Sequence, residues 1–113
     1  MRNGLLRRKS MRIKLLQSAI QDLIDGHTFY EKQSQGVGEY FLDSLYSDID
    51  SLLITAGIHP IVFNSFHRLL SKRFPFAVYY TIDYQTIFVY AVLDCRRKPA
   101  WIRDKLTQLG SKF

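Results

Sequence analysis

Cysteine is nearly absent: Cys95 stands alone in 113 residues. One thiol cannot build an intramolecular disulfide framework or a cysteine-rich zinc site. A reducing, cytoplasmic compartment is the simplest expectation. No uncharged apolar run approaches the roughly 18 residues that a membrane-spanning helix needs, so no membrane partner is expected. The first ten residues, MRNGLLRRKS, hold only Leu5 and Leu6 as an apolar pair. That falls far short of the apolar core of a secretory signal. His27, His59 and His67 have no metal-ligand spacing, and no glycine-rich phosphate loop, G-x-S-x-G elbow or paired-acid signature occurs. Neither a metal nor a cofactor is therefore expected. Disorder is excluded as well, because 47% of the residues are hydrophobic and 14% aromatic.

What is present is a single-domain length and an uneven charge. The formal net charge is +6. Residues 1–14 carry six basic side chains and no acid, residues 15–66 one basic and seven acidic, and residues 67–113 nine basic and three acidic. Two faces of opposite sign are expected, and such asymmetry suits an acidic or polyanionic partner on the basic side. Four of the excess charges (Arg2, Arg7, Arg8, Lys9) precede Met11, so overall basicity is a poor argument for nucleic-acid binding. Residues 1–10 read as a disordered basic extension, or as sequence upstream of a start at Met11, with a phosphate- or lipid-contacting arm as the functional alternative. Residues 11–113 read as one domain.

The pattern then switches from a helical period to a strand period. Met11–Leu16 alternates as a short strand. Ser18 with Gln21 fits a capping box, and Ile20, Leu23, Ile24, His27 and Tyr30 form the apolar stripe of the helix that follows. Gly36 and Gly38 break it. A second helix is expected from Glu39 to Ala56, with Phe41, Leu45, Ile49, Leu52 and Ala56 buried and Asp43, Asp48 and Asp50 off the stripe. Gly57 caps it, and Pro60 prevents continuation. Phe66–Lys72, Phe76–Ile82 and Thr86–Asp94 read as strands, the last two joined as a hairpin through Asp83-Tyr84-Gln85. In the last strand Ile87, Val89, Ala91 and Leu93 are expected on one face and Phe88, Tyr90 and Val92 on the other. Apolar on both sides, it should lie centrally. Pro75 leads into a strand, and Pro99 opens a final helix over Ala100–Leu109 that Gly110 ends. The expectation is an α+β fold in the order β-α-α-β-β-β-α, an antiparallel sheet with two N-terminal helices on one face.

This order and its motifs resemble the RelE/ParE superfamily of toxins from bacterial type II toxin–antitoxin systems, the plasmid-stabilisation class. The resemblance spans about residues 11–106. It rests on Asp22-Leu23, Phe29-Tyr30-Glu31, Gly38 before Phe41, Arg68-Leu69-Leu70, Lys72 through Tyr80 (KRFPFAVYY), Val89-Tyr90-Ala91-Val92 and Arg96-Arg97-Lys98-Pro99. It implies a growth-inhibiting toxin in a hetero-oligomeric complex with a cognate antitoxin. Members of ParE type poison DNA gyrase, and members of RelE type cleave mRNA on the ribosome. The nuclease type implies catalytic Lys and Arg side chains and a C-terminal tyrosine. One such arginine aligns with Ala77, the tyrosine falls near Trp101, and a late basic residue is matched by Arg97. The ParE-like side is therefore closer, and a non-toxic basic binding module is the third possibility.

The candidate catalytic residues are His67, as a base, and Arg97, as a charge stabiliser. His67 equally reads as a structural strand histidine. The candidate target- or antitoxin-binding residues are Arg68, Lys72, Arg73, Arg96, Arg97, Lys98 and Trp101. Guanidinium forks suit carboxylate or phosphate, and Trp101 offers a stacking face. Solubility and packing explain the same residues without a partner. Strand order is expected to bring Arg68 beside Arg96–Lys98 and to leave Lys72 and Arg73 at the other end. Cys95 reads as an inert strand-end residue, or as a thiolate if exposed beside three cations.

Overall fold

A computed structural model describes residues 10–110. The basic extension expected over residues 1–10 lies outside the described residues, apart from Ser10. The elements are β1 (Arg12–Leu15), α1 (Gln17–Gln33), α2 (Val37–Asp50), a one-turn α3 (Leu52–Thr55), β2 (Ile61–Val62), β3 (Phe66–Leu70), β4 (Phe76–Asp83), β5 (Thr86–Asp94) and α4 (Pro99–Gly110). The expected α+β order is present, with two additions. The helix predicted to run unbroken to Ala56 turns at Ser51, and β2 is a two-residue strand too short to leave a periodic signal.

The sheet order is β1-β5-β4-β3-β2. Strands β2 to β5 form an antiparallel meander, but β1 lies parallel to β5, with Arg12 opposite Thr86 and Leu15 opposite Val89. The sheet is thus mixed rather than wholly antiparallel. Parallel neighbours need a long connection, and here the helices and the rest of the meander supply it. β5 is interior for its first half, as its two-sided hydrophobicity implied.

The face assignment of β5 is corrected by a bulge. Tyr79 pairs with Ala91 while Tyr80 pairs with Val89, so Tyr90 is an extra residue. One extra residue reverses the alternation beyond it. Ile87, Val89 and Val92 therefore join Val78, Tyr80, Phe41 and Leu45 under α1 and α2. Ala91 and Leu93 join Ala77, Tyr79, Phe66, Ile102 and Leu106 under α4. The two N-terminal helices pack on one face, as expected, and α4 covers part of the other.

Helix α1 begins without the predicted capping box. Leu16 is its N-cap and offers no side-chain cap. Ser18 instead lies inside the first turn, and its hydroxyl donates to the Tyr90 carbonyl at 2.6 Å. Gly36 lies in the turn between the two helices as the N-cap of α2, at φ 90°, while α1 already ends at Gln33. Gly38 sits in the first turn of α2, where a Cβ would lie 2.8 Å from the His27 carbonyl oxygen. The N-terminus of α2 is capped from the neighbouring helix, because Glu31 accepts hydrogen bonds from Gly36 N at 3.0 Å and Gly38 N at 2.9 Å. Those bonds lower the Glu31 pKa. Tyr30, Phe41, Phe74 and Phe76 close the end of the hairpin against the sheet, with Tyr30 and Phe41 stacked at 5.2 Å and Phe41 edge-on to Phe76 at 5.0 Å.

Candidate partner-binding site at one end of the sheet

Two concavities meet at the end of the sheet where β3 and β5 finish. Both strands run antiparallel to β4, so they run in the same direction. Leu70 pairs with Ala77, and Ala77 with Leu93. Lys72 and Arg73 therefore lie at the same end as Arg96, Arg97 and Lys98, not at the opposite end. The expected separation failed because alternate strands of a meander are parallel to each other. Arg68 sits further back, opposite Tyr79, on the face that α4 covers.

A buried carboxylate holds the basic loop. Asp48 was expected off the buried stripe, yet it is only 5% exposed. It accepts from the Ser71 hydroxyl at 2.6 Å and from Lys72 N at 3.4 Å. One helix residue thereby ties down the β3–β4 connection that carries Lys72 and Arg73. Both of those residues are exposed or nearly so.

The first concavity, a cleft of about 340 Å³, runs between α1 and α4 along the outer edge of β5. β1 covers that edge only as far as Val89, and past it no strand of the described residues lies beside β5 on that side. Helix α1 supplies substitutes. Ser18 bonds the Tyr90 carbonyl, and Asp22 accepts from Val92 N at 2.9 Å. Burial raises the Asp22 carboxyl to about 6, against the lowering effects of Val92 N–H and Lys105. Asp25, Phe29, Asp94, Arg97, Trp101 and Lys105 complete the walls.

The second concavity, of about 210 Å³, lies on the other face. It is lined by Phe63, Arg68, Leu70, Tyr79, Cys95, Arg97, Pro99 and Ile102. Arg97 lines both. Its guanidinium stacks on Trp101, 4.3 Å from the ring centroid, so the expected stacking face is already used by the chain itself.

The remaining candidates separate by chemistry. Arg96 forms a fork with Asp94, Nε to Oδ1 at 2.9 Å and Nη2 to Oδ2 at 2.7 Å. That pair holds the Asp94 carboxyl below its ordinary range and raises the Arg96 guanidinium further above its own. Lys98 is exposed, and its carbonyl accepts from Ile102 N in the first turn of α4. Cys95 is exposed, but desolvation pushes its thiol upward, so the neighbouring cations do not make it a thiolate.

His67 is not brought to Arg97. It pairs with Tyr80 and therefore lies on the α1/α2 face, whereas Arg68 lies on the α4 face. From the Tyr80–Val89 pair to Asp94, roughly 16 Å of strand intervenes. The His67 ring stacks on Tyr80 with centroids 5.0 Å apart, and Nδ1 bonds the His59 carbonyl at 2.8 Å. Tyr80 in turn bonds the His59 ring and accepts from Gly57 N at 3.0 Å. Desolvation lowers the His59 pKa. This group closes the turn after α3 against the sheet. Ala77, which aligns with a nuclease arginine, is fully buried beneath α4.

Sequence reasoning missed Asp22 and Tyr79 as site residues. A signal existed for Asp22: Ser18 and Asp22 are four apart and share one helical flank beside the apolar stripe.

No protein-family model matches the sequence, and no curated protein matches it. Among solved structures, a chain of the chromosomal ParDE TA system from P. aeruginosa matches with a TM-score of 0.68 at 16% identity. The match covers 74% of this chain and 94% of that one. The fold is thus ParE-like, as the sequence resemblance implied.

Proposed function

We propose that this chain is the toxin of a type II toxin–antitoxin pair, acting in the bacterial cytoplasm and neutralised by a cognate antitoxin. The observation that carries the reading is the fold shared with a chain of a toxin–antitoxin system. The cleft between α1 and α4, beside the part of β5 that β1 does not cover, supports an antitoxin that docks by an extended segment. The basic end of the sheet suits acidic residues in that segment.

Inhibition by binding, with DNA gyrase as the target, is the better-supported mode. An mRNA endonuclease needs a base, an acid and cations around one phosphodiester. His67 and Arg97 lie well apart on the sheet, and the Trp101 ring is stacked by Arg97 and cannot donate a phenolic proton. Ribosome-dependent cleavage is the alternative that the assay must separate.

The test is regulated expression in a bacterial host. Growth arrest is the expected result, reversed by co-expression of a short acidic reading frame where one adjoins the gene. Loss of supercoiling activity by purified gyrase supports the gyrase target. Codon-linked cuts in primer extension, with gyrase unaffected, replace it with the ribosomal one. Unaltered growth at high expression overturns the toxin reading.

A further inference from the structure

We propose that the pocket between β3, β4 and the start of α4 is a carboxylate-binding site, in which Arg68 and Arg97 together hold one acidic side chain of a partner polypeptide. Two cations line a concavity of about 210 Å³, and none of its eight lining residues is an acid. The Arg68 Nε is buried and has no hydrogen-bond partner. Buried donors of charged groups are costly to leave unmade, so an unmet guanidinium N–H marks a missing acceptor. Arg97 forms no ion pair among the described residues: its charge acts on Asp94, but that carboxylate is forked by Arg96. Stacking on Trp101 holds the Arg97 guanidinium flat, which leaves its N–H edges for an oxyanion.

The walls argue for a side-chain carboxylate rather than a nucleic-acid phosphate. Phe63, Leu70, Pro99 and Ile102 make the pocket small and apolar apart from the two guanidiniums, Tyr79 and Cys95. That suits the short methylene stem and planar head of Asp or Glu, which an arginine fork matches in geometry. A nucleic-acid strand needs a stacking platform for bases. The nearby candidate, Trp101, is covered by Arg97, with Lys105 also over its ring at 5.7 Å. The Phe63 wall is placed by the turn that joins β2 to β3. Phe63 forms one wall at φ 51°, in the left-handed region that a bulky side chain seldom adopts. Asn64 follows at φ 65°, and Ser65 N bonds the Val62 carbonyl, closing a tight turn between β2 and β3. Lys72 and Arg73, at the same end of the sheet, extend the positive field to further acids of the same segment.

This inference names the chemistry of one contact, and it relies on the toxin reading only for the identity of the polypeptide that supplies the acid. The test uses the full chain, labelled with ¹⁵N by cell-free synthesis, and follows the Arg68 Nε–Hε resonance. The probes are a capped hexapeptide alternating glutamate with leucine, its glutamine twin, inorganic phosphate, and a six-nucleotide oligoadenylate. The expected result is a saturable shift with the glutamate peptide, at least tenfold weaker binding in Arg97→Gln, and no comparable shift with the glutamine twin. Arg68→Lys should weaken binding at least threefold, and Arg103→Gln should leave it unchanged, since Arg103 is exposed and paired with Asp104. An unshifted resonance, equal binding by Arg97→Gln with an otherwise native spectrum, or tighter binding of phosphate or oligoadenylate would each overturn the assignment. Peptide binding without growth arrest upholds the pocket and removes the toxin reading. Growth arrest without peptide binding does the reverse.

Discussion

Asp22 ties α1 to the open edge of β5, and its titration makes that tie measurable. The carboxyl pKa moves from 3.8 to about 6, chiefly because burial disfavours its charged form. A raised acid holds its proton longer when folded than when unfolded. Its contribution to stability is therefore full below about pH 4 and lost as pH rises toward 6. Each tenfold gain in proton affinity is worth about 1.4 kcal/mol, so the rise at Asp22 amounts to about 3 kcal/mol. Water reaching the exposed part of the carboxyl screens this to about 2 kcal/mol. Asp22→Asn keeps an oxygen for Val92 N but cannot titrate. Urea unfolding of both proteins between pH 3.5 and 7.5 isolates the effect, since Glu31 and Asp94, whose pKa values are lowered, titrate alike in both. The wild type should lose about 2 kcal/mol relative to Asp22→Asn between pH 4 and 6.5. Parallel stability curves across that range would refute the argument. Asp22→Ala, which removes the acceptor for Val92 N, should cost about 1–3 kcal/mol at every pH.

Three further expectations concern the scaffold. Asp48→Ala strips the acceptor from Ser71 and Lys72 N, so denaturant unfolding should report a loss of about 1–3 kcal/mol, and hydrogen exchange should accelerate in residues 71–75. Gly26→Ala places a methyl against the buried Phe41 ring, and overpacking should lower stability by about 1–3 kcal/mol in spite of alanine's helix preference. The Ser44 hydroxyl is buried without a partner, so Ser44→Ala should be neutral or stabilising by up to about 1 kcal/mol in thermal unfolding.

Much of the fold was legible because period encodes burial. The stripe from Phe41 to Leu52 is the buried face of α2 and the start of α3, and Leu23 and Tyr30 of the α1 stripe pack in the same core. Ile24 of that stripe is 51% exposed, because the face that α1 buries runs through Ala19, Leu23 and Gly26. The two-sided apolar pattern of Thr86–Asp94 marked a strand covered on both faces, which is interior as far as Val89, while β4 takes the central place. The motifs behind the family resemblance also prove to be physical fixtures: Asp22 supports the β5 edge, Glu31 caps α2, and Gly38 admits the close approach of α1. The site was legible only as a set of charges. Arg68 and Arg97 were named with Lys72, Arg73 and Arg96, but nothing local distinguishes a guanidinium already forked to Asp94 from one without an acid.

Spacing along the chain was enough for the main helices, the three long strands and their order, but not for β2, the break at Ser51, or the place of β5, which is second in the sheet and interior only as far as Val89. Tertiary structure decided what spacing cannot carry. The bulge at Tyr90 reversed which face Ala91 and Leu93 occupy, because one extra residue shifts a period-two pattern. The parallel run of β3 and β5 brought Lys72 and Arg73 to the basic end, because strand direction alternates across an antiparallel meander. Burial of Asp48, of Asp22 and of the Arg68 Nε arises where separate elements meet, and it is there that ordinary surface side chains acquire their partners, their altered titration and their unmet valence.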